Sequence, residues 1–549
     1  MPTTTTGFGP LDWAIVSAYL LANLALGLYA SRRVDSAADF QLGTRTTPWW
    51  ALGVSVIATY VSALSFLGGP AWAYGDGMAA LAIHVNYPLV VFVVVVVFLP
   101  FFFNSGVASI YEYLERRFGT ASRTVMAALF LVSQTITTAS ILTATAVVIT
   151  FATGLDVRTS IVVMTVVTLA YTMVGGMNAV IWTDVMQAVI LFAGAGIVLW
   201  KVLDYVSPLG DALGTLAAAG RLDPIDTSLD FSVAPTIWAG VFAMTLFHIT
   251  VYGANQMMVQ RALAARSIGD AKKSYLMMGF AGFFIYFLFF AIGALLYVYF
   301  GGRPFEQPNS IILVFAQQLG IPGLIGVIAA AVLAASMSSL SSAFNSLATI
   351  SVTDFYQRFY RPGASDEQCL RASRAFTVLW GIVAIPIAFA FIGSGGSILE
   401  RLSQVASYFV GAQLAMFGLG FLSKHTSERG LLIGVVAGFA ALYVVTSGVP
   451  FLDWTPPAIA WPWYVVIGGT VNIAVAWIAS VLLDGFRTEW HEQTVPGQIR
   501  RFRELGLPVK DGGWYLVPGR VDATCWLLLV FFVLSITFLA AFASFGARP

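Results

Sequence analysis

A chain of 549 residues that is 58% hydrophobic and only 10% charged reads as an integral membrane protein. Its net charge of +1 points to neither nucleic acid nor an acidic partner. The two cysteines, Cys369 and Cys525, lie on separate arms of the chain, so neither a structural disulfide nor a metal site is expected.

About fourteen apolar segments follow one another, each near 20 residues or longer, which makes the fold class all-α integral membrane with about 14 transmembrane helices. The first, 11–30, has no basic region ahead of it and is followed by Arg32 and Arg33, so it stays as a span rather than acting as a cleaved signal. The second, 49–74, carries Ser62, Ser65, Gly68, Gly69 and Pro70 in its middle and outer half. Breakers of this kind mark irregular backbone, which lipid tolerates only where it faces protein or a cavity. The third, 79–103, holds His84 and Asn86 in A-I-H-V-N-Y-P.

Spans 123–153 and 159–175 come next, and then the sixth, 179–203, which starts with Asp184 in G-G-M-N-A-V-I-W-T-D. A carboxylate inside a span costs about 2.5–3.5 kcal/mol on insertion scales and marks function. The plainer alternative is a helix-start carboxylate at the interface, favoured by the dipole. One to two turns into the span, Asp184 is positioned to neutralise a cation. The seventh span, 235–262, reads F-H-I-T-V-Y-G-A-N-Q, with His248, Thr250, Gly253, Asn255 and Gln256. Spans two and seven are five apart, and interrupted spans at matching places in two halves point to a transporter site. Neither His84 nor His248 has metal-ligand spacing, and a histidine hydrogen-bonded between helices is the ordinary alternative for both.

After span 274–300, the ninth, 321–354, contains A-A-S-M-S-S-L-S-S-A-F-N-S from Ala334 to Ser346. Ala335, Ser338, Ser339 and Ser342 share one helical face, and Ser338, Ser341, Ser342 and Asn345 form a second, overlapping stripe. Two hydroxyl stripes can supply the oxygens a hard cation such as sodium requires. Small residues that let helices approach closely are the competing explanation. Spans 371–393, 397–422, 428–447, 462–484 and 521–546 complete the chain.

With the N-terminus outside, the inward loops collect 22 of the 28 Lys and Arg. The positive-inside rule then places both termini outside a cell membrane. Arg261, Arg266, Lys272 and Lys273 count among these loop charges. No G-x-S-x-G, H-E-x-x-H or Walker-type glycine loop is present, so no enzyme is expected.

Four ordered blocks resemble the sodium:solute symporter family: Y-E-Y-L-E-R-R-F-G at 111–119, G-G-M-N-A-V-I-W-T-D at 175–184, N-Q-M-M-V-Q-R-A-L-A-A-R-S at 255–267, and the serine-rich block up to Asp354. The resemblance implies the LeuT-like five-plus-five inverted repeat with broken helices. Its parts would be an extra helix and loop at 1–48, a first repeat at 49–203, an extracellular loop at 204–234, a second repeat at 235–422 and extra helices at 423–549. It also implies sodium-driven uptake of a small solute across the lipid bilayer. Carried over by position, the first sodium site would use the carbonyls of Ala58, Val61 and Ala335 and the hydroxyls of Ser338 and Ser339. A second would use Asp184, Ser338, Ser341 and Ser342.

The substrate pocket is expected where spans two, three and seven meet. Its candidate lining is Tyr60, Ser62, Ser65, His84, Asn86, Thr137, His248, Tyr252 and Gln413. Sialic-acid carriers of the family place an arginine where Thr137 aligns. The Y-E-Y-L-E block and G-G-P-A-W-A-Y at 68–74 look closer to the iodide, multivitamin and monocarboxylate branch. The solute expected is a small organic anion held by His84, His248 and Ser65. The alternatives are a neutral solute such as an amino acid, urea or a sugar, and a proton-driven carrier of the same fold.

Overall fold

A computed structural model describes residues 8–31, 36–107, 109–392, 398–449 and 456–546; Arg32 and Arg33 lie outside them. Helix dominates, and among the described residues the only sheet is the hairpin pairing Lys510–Asp511 with Trp514–Tyr515. Among the described residues, eleven helices are long and apolar enough to cross a membrane. Three shorter apolar helices, Trp49–Tyr60, Val157–Met173 and Ala239–Gly253, stand beside them.

The breaks fall where the sequence carries its polar and glycine residues. Helix Trp49–Tyr60 stops at Val61, whose backbone is extended (φ −79°, ψ 97°). The Ser62 hydroxyl then accepts from the Leu64 N–H at 3.1 Å, which starts a π-helical turn, Leu64–Gly68. Helix Gly69–Asp76 follows with Pro70 in its first turn, where a missing N–H costs nothing. In the seventh span, helix Met244–Gly253 ends at Ala254, and the Asn255 side chain caps the next helix, Gln256–Leu263, accepting from the Met257 N–H at 2.9 Å.

The serine-rich helix Leu324–Ile350 is the centre of the bundle. Its most apolar stretch is 94% buried, against 22% for the corresponding stretches of the first and last helices. It packs on Val157–Tyr205, Thr120–Thr153, Pro10–Ser31 and Trp49–Tyr60. The long segment Val157–Tyr205 turns sharply at Gly176 (φ 54°, ψ −162°). A Cβ there would be strained and would lie 2.8 Å from the Phe40 Cα. Spans five and six meet at this kink, about two helical turns before Asp184.

Helices Glu428–Ser447 and Tyr464–Asp484 pack backbone to backbone along Gly430, Gly434 and Gly438. A Cβ at Gly434 would sit 2.5 Å from the Asn472 carbonyl oxygen, so only a bare backbone fits. The last helix, Ala523–Gly546, is tied at its start to helix Ile268–Tyr299. Lys272 Nζ reaches Asp522 at 2.6 Å and the Tyr515 carbonyl at 2.8 Å, with both charged side chains buried. Cys369 and Cys525 are buried free thiols.

One end of the bundle carries a charge network. Arg123 bonds Asp354 at 2.5 Å, Glu115 at 2.7 Å and the Thr353 carbonyl at 3.0 Å, and Arg358 meets Glu115 at 2.5 Å. Burial pushes the Glu115 carboxyl up, but hydrogen bonds from Arg123, Thr120 and Arg358 outweigh it and hold it below its ordinary value of 4.5. A depressed folded-state pKa means this contribution is complete above about pH 4.5 and fades as pH falls through the lower, folded value. The melting temperature of the wild type should therefore drop more between pH 5.5 and 3.5 than that of Glu115→Gln. Equal drops would mean that Glu115 does not contribute.

Candidate functional site

The break after Tyr60 leaves the last carbonyls of its helix without intrahelical partners, and the serine helix supplies them. Ser338 Oγ donates to the Ala58 carbonyl at 2.8 Å and shares the Ala335 carbonyl at 2.9 Å. Ser339 Oγ donates to the Thr59 carbonyl at 2.9 Å. Ala58, Ala335, Ser338 and Ser339 are thus one cluster of buried oxygens. Val61 stands at its edge as the residue that ends the helix. Thr59, which sequence reasoning passed over, contributes both its carbonyl and a hydroxyl 3.3 Å from Ser342 Oγ.

Asp184 is fully buried nearby. Its Oδ2 accepts from Ser55 Oγ at 2.5 Å and from Arg261 Nη2 at 3.1 Å. Arg261 also donates to Ser55 Oγ at 2.8 Å, to the Met257 carbonyl at 2.6 Å and to Ser342 Oγ. Asp184 and Ser342 therefore meet through a guanidinium. Ser341 and Ser342 also donate back to the Ser338 carbonyl at 3.1 and 2.7 Å. The expectation that Arg261 is a loop charge needs correction, because its side chain has no exposure at all. The break at Ala254–Asn255 folds helix Gln256–Leu263 back under the serine helix. The same fold brings Gln260 to Asn345 at 3.0 Å and to Thr349 at 3.3 Å.

Tyr60, at the end of the same helix, belongs to a buried aromatic and imidazole cluster. His248 Nε2 is 2.9 Å from the Tyr60 hydroxyl, and its Nδ1 is 3.1 Å from Asn86 Oδ1. His84 stacks on Tyr286 with ring centres 3.7 Å apart, and its Nδ1 is 3.2 Å from the Tyr87 hydroxyl. Ser65 Oγ reaches the Tyr286 hydroxyl at 3.5 Å, and Tyr252 packs on Tyr60 at 5.1 Å. Six of the expected lining residues (Tyr60, Ser65, His84, Asn86, His248, Tyr252) thus come together. Tyr87 and Tyr286 join them unforeseen.

Three others are committed to backbone. Ser62 caps the π turn, Thr137 Oγ1 donates to the Ser133 carbonyl at 3.0 Å, and Gln413 donates to the Ala254 carbonyl at 2.5 Å. His84 Nε2, Asn86 Nδ2 and the Tyr252 hydroxyl are buried in the cluster with no hydrogen-bond partner among the described residues. Groups of this kind are costly unless something else bonds them.

Two broken helices facing a hydroxyl-bearing one, with an uncommitted polar cluster at the breaks, define a membrane carrier. The sequence profile of the Sodium:solute symporter family matches residues 40–438. The sodium-dependent multivitamin transporter of Oryctolagus cuniculus is 28% identical over 459 residues, covering 81% of this chain and 71% of that protein. Sodium-coupled monocarboxylate transporter 2 of Bos taurus is 27% identical over 467 residues, 83% and 75% of the two chains. A solved structure of a substrate-bound, outward-open Na+-coupled sialic acid symporter superposes with a TM-score of 0.79 at 27% identity, over 87% of this chain and 98% of that one. The chain belongs to the sodium:solute symporter family. It is a transporter with a LeuT-like fold rather than an enzyme, and sodium is its coupling ion.

Proposed function

We propose that this symporter imports a small organic anion such as a monocarboxylate together with two sodium ions, by alternating access. The observation that carries the reading is the pairing of freed carbonyls with serine hydroxyls, Ala58 with Ser338 and Thr59 with Ser339. The first ion would take the Ala58, Val61 and Ala335 carbonyls with Ser338 and Ser339. The second would take Asp184 with Ser338, Ser341 and Ser342.

The anion would lie among His84, Asn86, His248, Ser65 and Tyr252, where unpartnered polar atoms are available to it. Thr137 and Gln413 would border that space, and Ser62 would hold the turn beside it. Support for an acidic solute comes from the monocarboxylate relative and from a cluster that contains no carboxylate. The working architecture is fourteen spans: the eleven long helices plus the three short ones. Repeats at 49–203 and 235–422 and both termini outside complete it.

Two ions entering down about 100 mV and a tenfold gradient provide about 7 kcal/mol, of which a monovalent anion returns about 2.3. The remaining 5 kcal/mol or so would concentrate it a few thousandfold. Proteoliposome uptake of labelled carboxylates under an imposed sodium gradient tests the reading. Uptake driven by sodium and indifferent to a proton uncoupler is expected. Uptake of an amino acid, urea or a sugar instead would refute the anion, and uptake that survives without sodium would refute the coupling.

A further inference from the structure

Of the four acceptors around Arg261, Asp184 and Ser342 belong to the proposed second ion site, and a third, Ser55, is bonded to Asp184. Only the Met257 carbonyl lies on Arg261's own short helix. Both charged side chains have zero exposure, and the other Asp184 oxygen, Oδ1, is buried without a hydrogen-bond partner among the described residues. The buried carboxylate can be balanced by one positive charge. A sodium ion here would stand against the like charge of the guanidinium and compete with it for Asp184 Oδ2 and Ser342 Oγ, and removing both cations would leave an unbalanced anion. The guanidinium and the ion are therefore alternatives.

We infer that Arg261 is a tethered counter-ion for Asp184 that trades places with the second sodium. It holds the carboxylate when sodium is away and withdraws when sodium binds. The inference rests on reading Asp184, Ser341 and Ser342 as a sodium site. Withdrawal is mechanically available because Arg261 rides on Gln256–Leu263, a helix of two turns set off by the break at Ala254–Asn255. That helix also carries Gln260, which bonds Asn345, Thr349 and the Gln41 carbonyl. Sodium arriving at Asp184 would thereby loosen the packing of this helix against the serine helix and the segment at Gln41.

The test is sodium titration of the purified full-length protein, with choline as the replacement cation, read by thermal stabilisation. Removing the competitor in Arg261→Met should lower the sodium half-saturation at least tenfold. Asp184→Asn should abolish one of two sodium components, and the double variant should behave like Asp184→Asn. Arg261→Lys, which keeps a tethered cation, should stay near the wild type. If Asp184→Asn titrates like the wild type, there is no second site and the underlying reading fails. If Asp184→Asn loses a component but Arg261→Met leaves the half-saturation unchanged or raises it, the site stands and the counter-ion role falls. Should Arg261→Met not fold, hydrogen exchange in the wild type decides. Amides of Gln256–Leu263 should exchange at least threefold faster with sodium than with choline, and equal rates would overturn the proposal.

Discussion

Sodium is expected to raise the melting temperature of the wild type, and at concentrations that saturate the wild type Ser339→Ala should lose the increment of the first site while Ser338→Ala, which serves both sites, should lose more. Each hydroxyl reaches a carbonyl freed by the break, Ser338 at Ala58 and Ser339 at Thr59, so each substitution deletes one oxygen from a set of about five. Sodium bound by so few neutral oxygens cannot spare one, and the half-saturation should rise by one to two orders of magnitude, about 1.4–2.8 kcal/mol. The substitution also leaves a buried carbonyl without its donor, which costs about 1–3 kcal/mol of stability whether or not sodium is present. The decisive quantity is therefore the increment sodium adds. An unchanged increment in Ser339→Ala would mean that these serines only pack helices.

The second large effect belongs to the imidazoles. In the double variant His84→Ala, His248→Ala, carboxylate uptake should fall at least a hundredfold, about 2.7 kcal/mol, while the sodium-induced stabilisation remains. His248 bridges the Tyr60 hydroxyl and Asn86, and losing it strands both partners in a buried cluster. His84 lies flat on Tyr286 and offers its free Nε2 to whatever enters. Persistence of the sodium response would show that the protein is folded and that ion and solute sites are separable. Uptake indifferent to both changes would remove the histidines from the substrate site.

Much of this site was legible along the chain, because insertion into lipid makes each polar residue conspicuous. The glycines, proline and asparagine at the two breaks, the serine stripes, Asp184 and both histidines all stand out against an apolar background. What escaped did so for identifiable reasons. Arg261 was assigned to a basic loop because a rule that counts charge between spans cannot see a helix fold back beneath its neighbour. Ser55 and Thr59 resemble the small hydroxyl residues common in any span, and only the register of the broken helix reveals that they face Asp184 and Ser342. Tyr87 and Tyr286 read as ordinary core aromatics until a histidine is found against them. The spans were harder to delimit, since the breaks that build the site also leave helices such as Trp49–Tyr60 too short to register as full crossings.

The pairing of Asp184 with Arg261 also has an electrical consequence. A membrane potential exerts about 2.3 kcal/mol per elementary charge for each 100 mV it spans, but opposite charges held 3.1 Å apart move through it as a neutral body. While the pair is intact, rocking of the unloaded protein displaces no net charge at this position. In a voltage-clamped membrane the return of the empty carrier should then be nearly indifferent to voltage, and the steepness of the steady current would report the bound ions and their cargo rather than the protein.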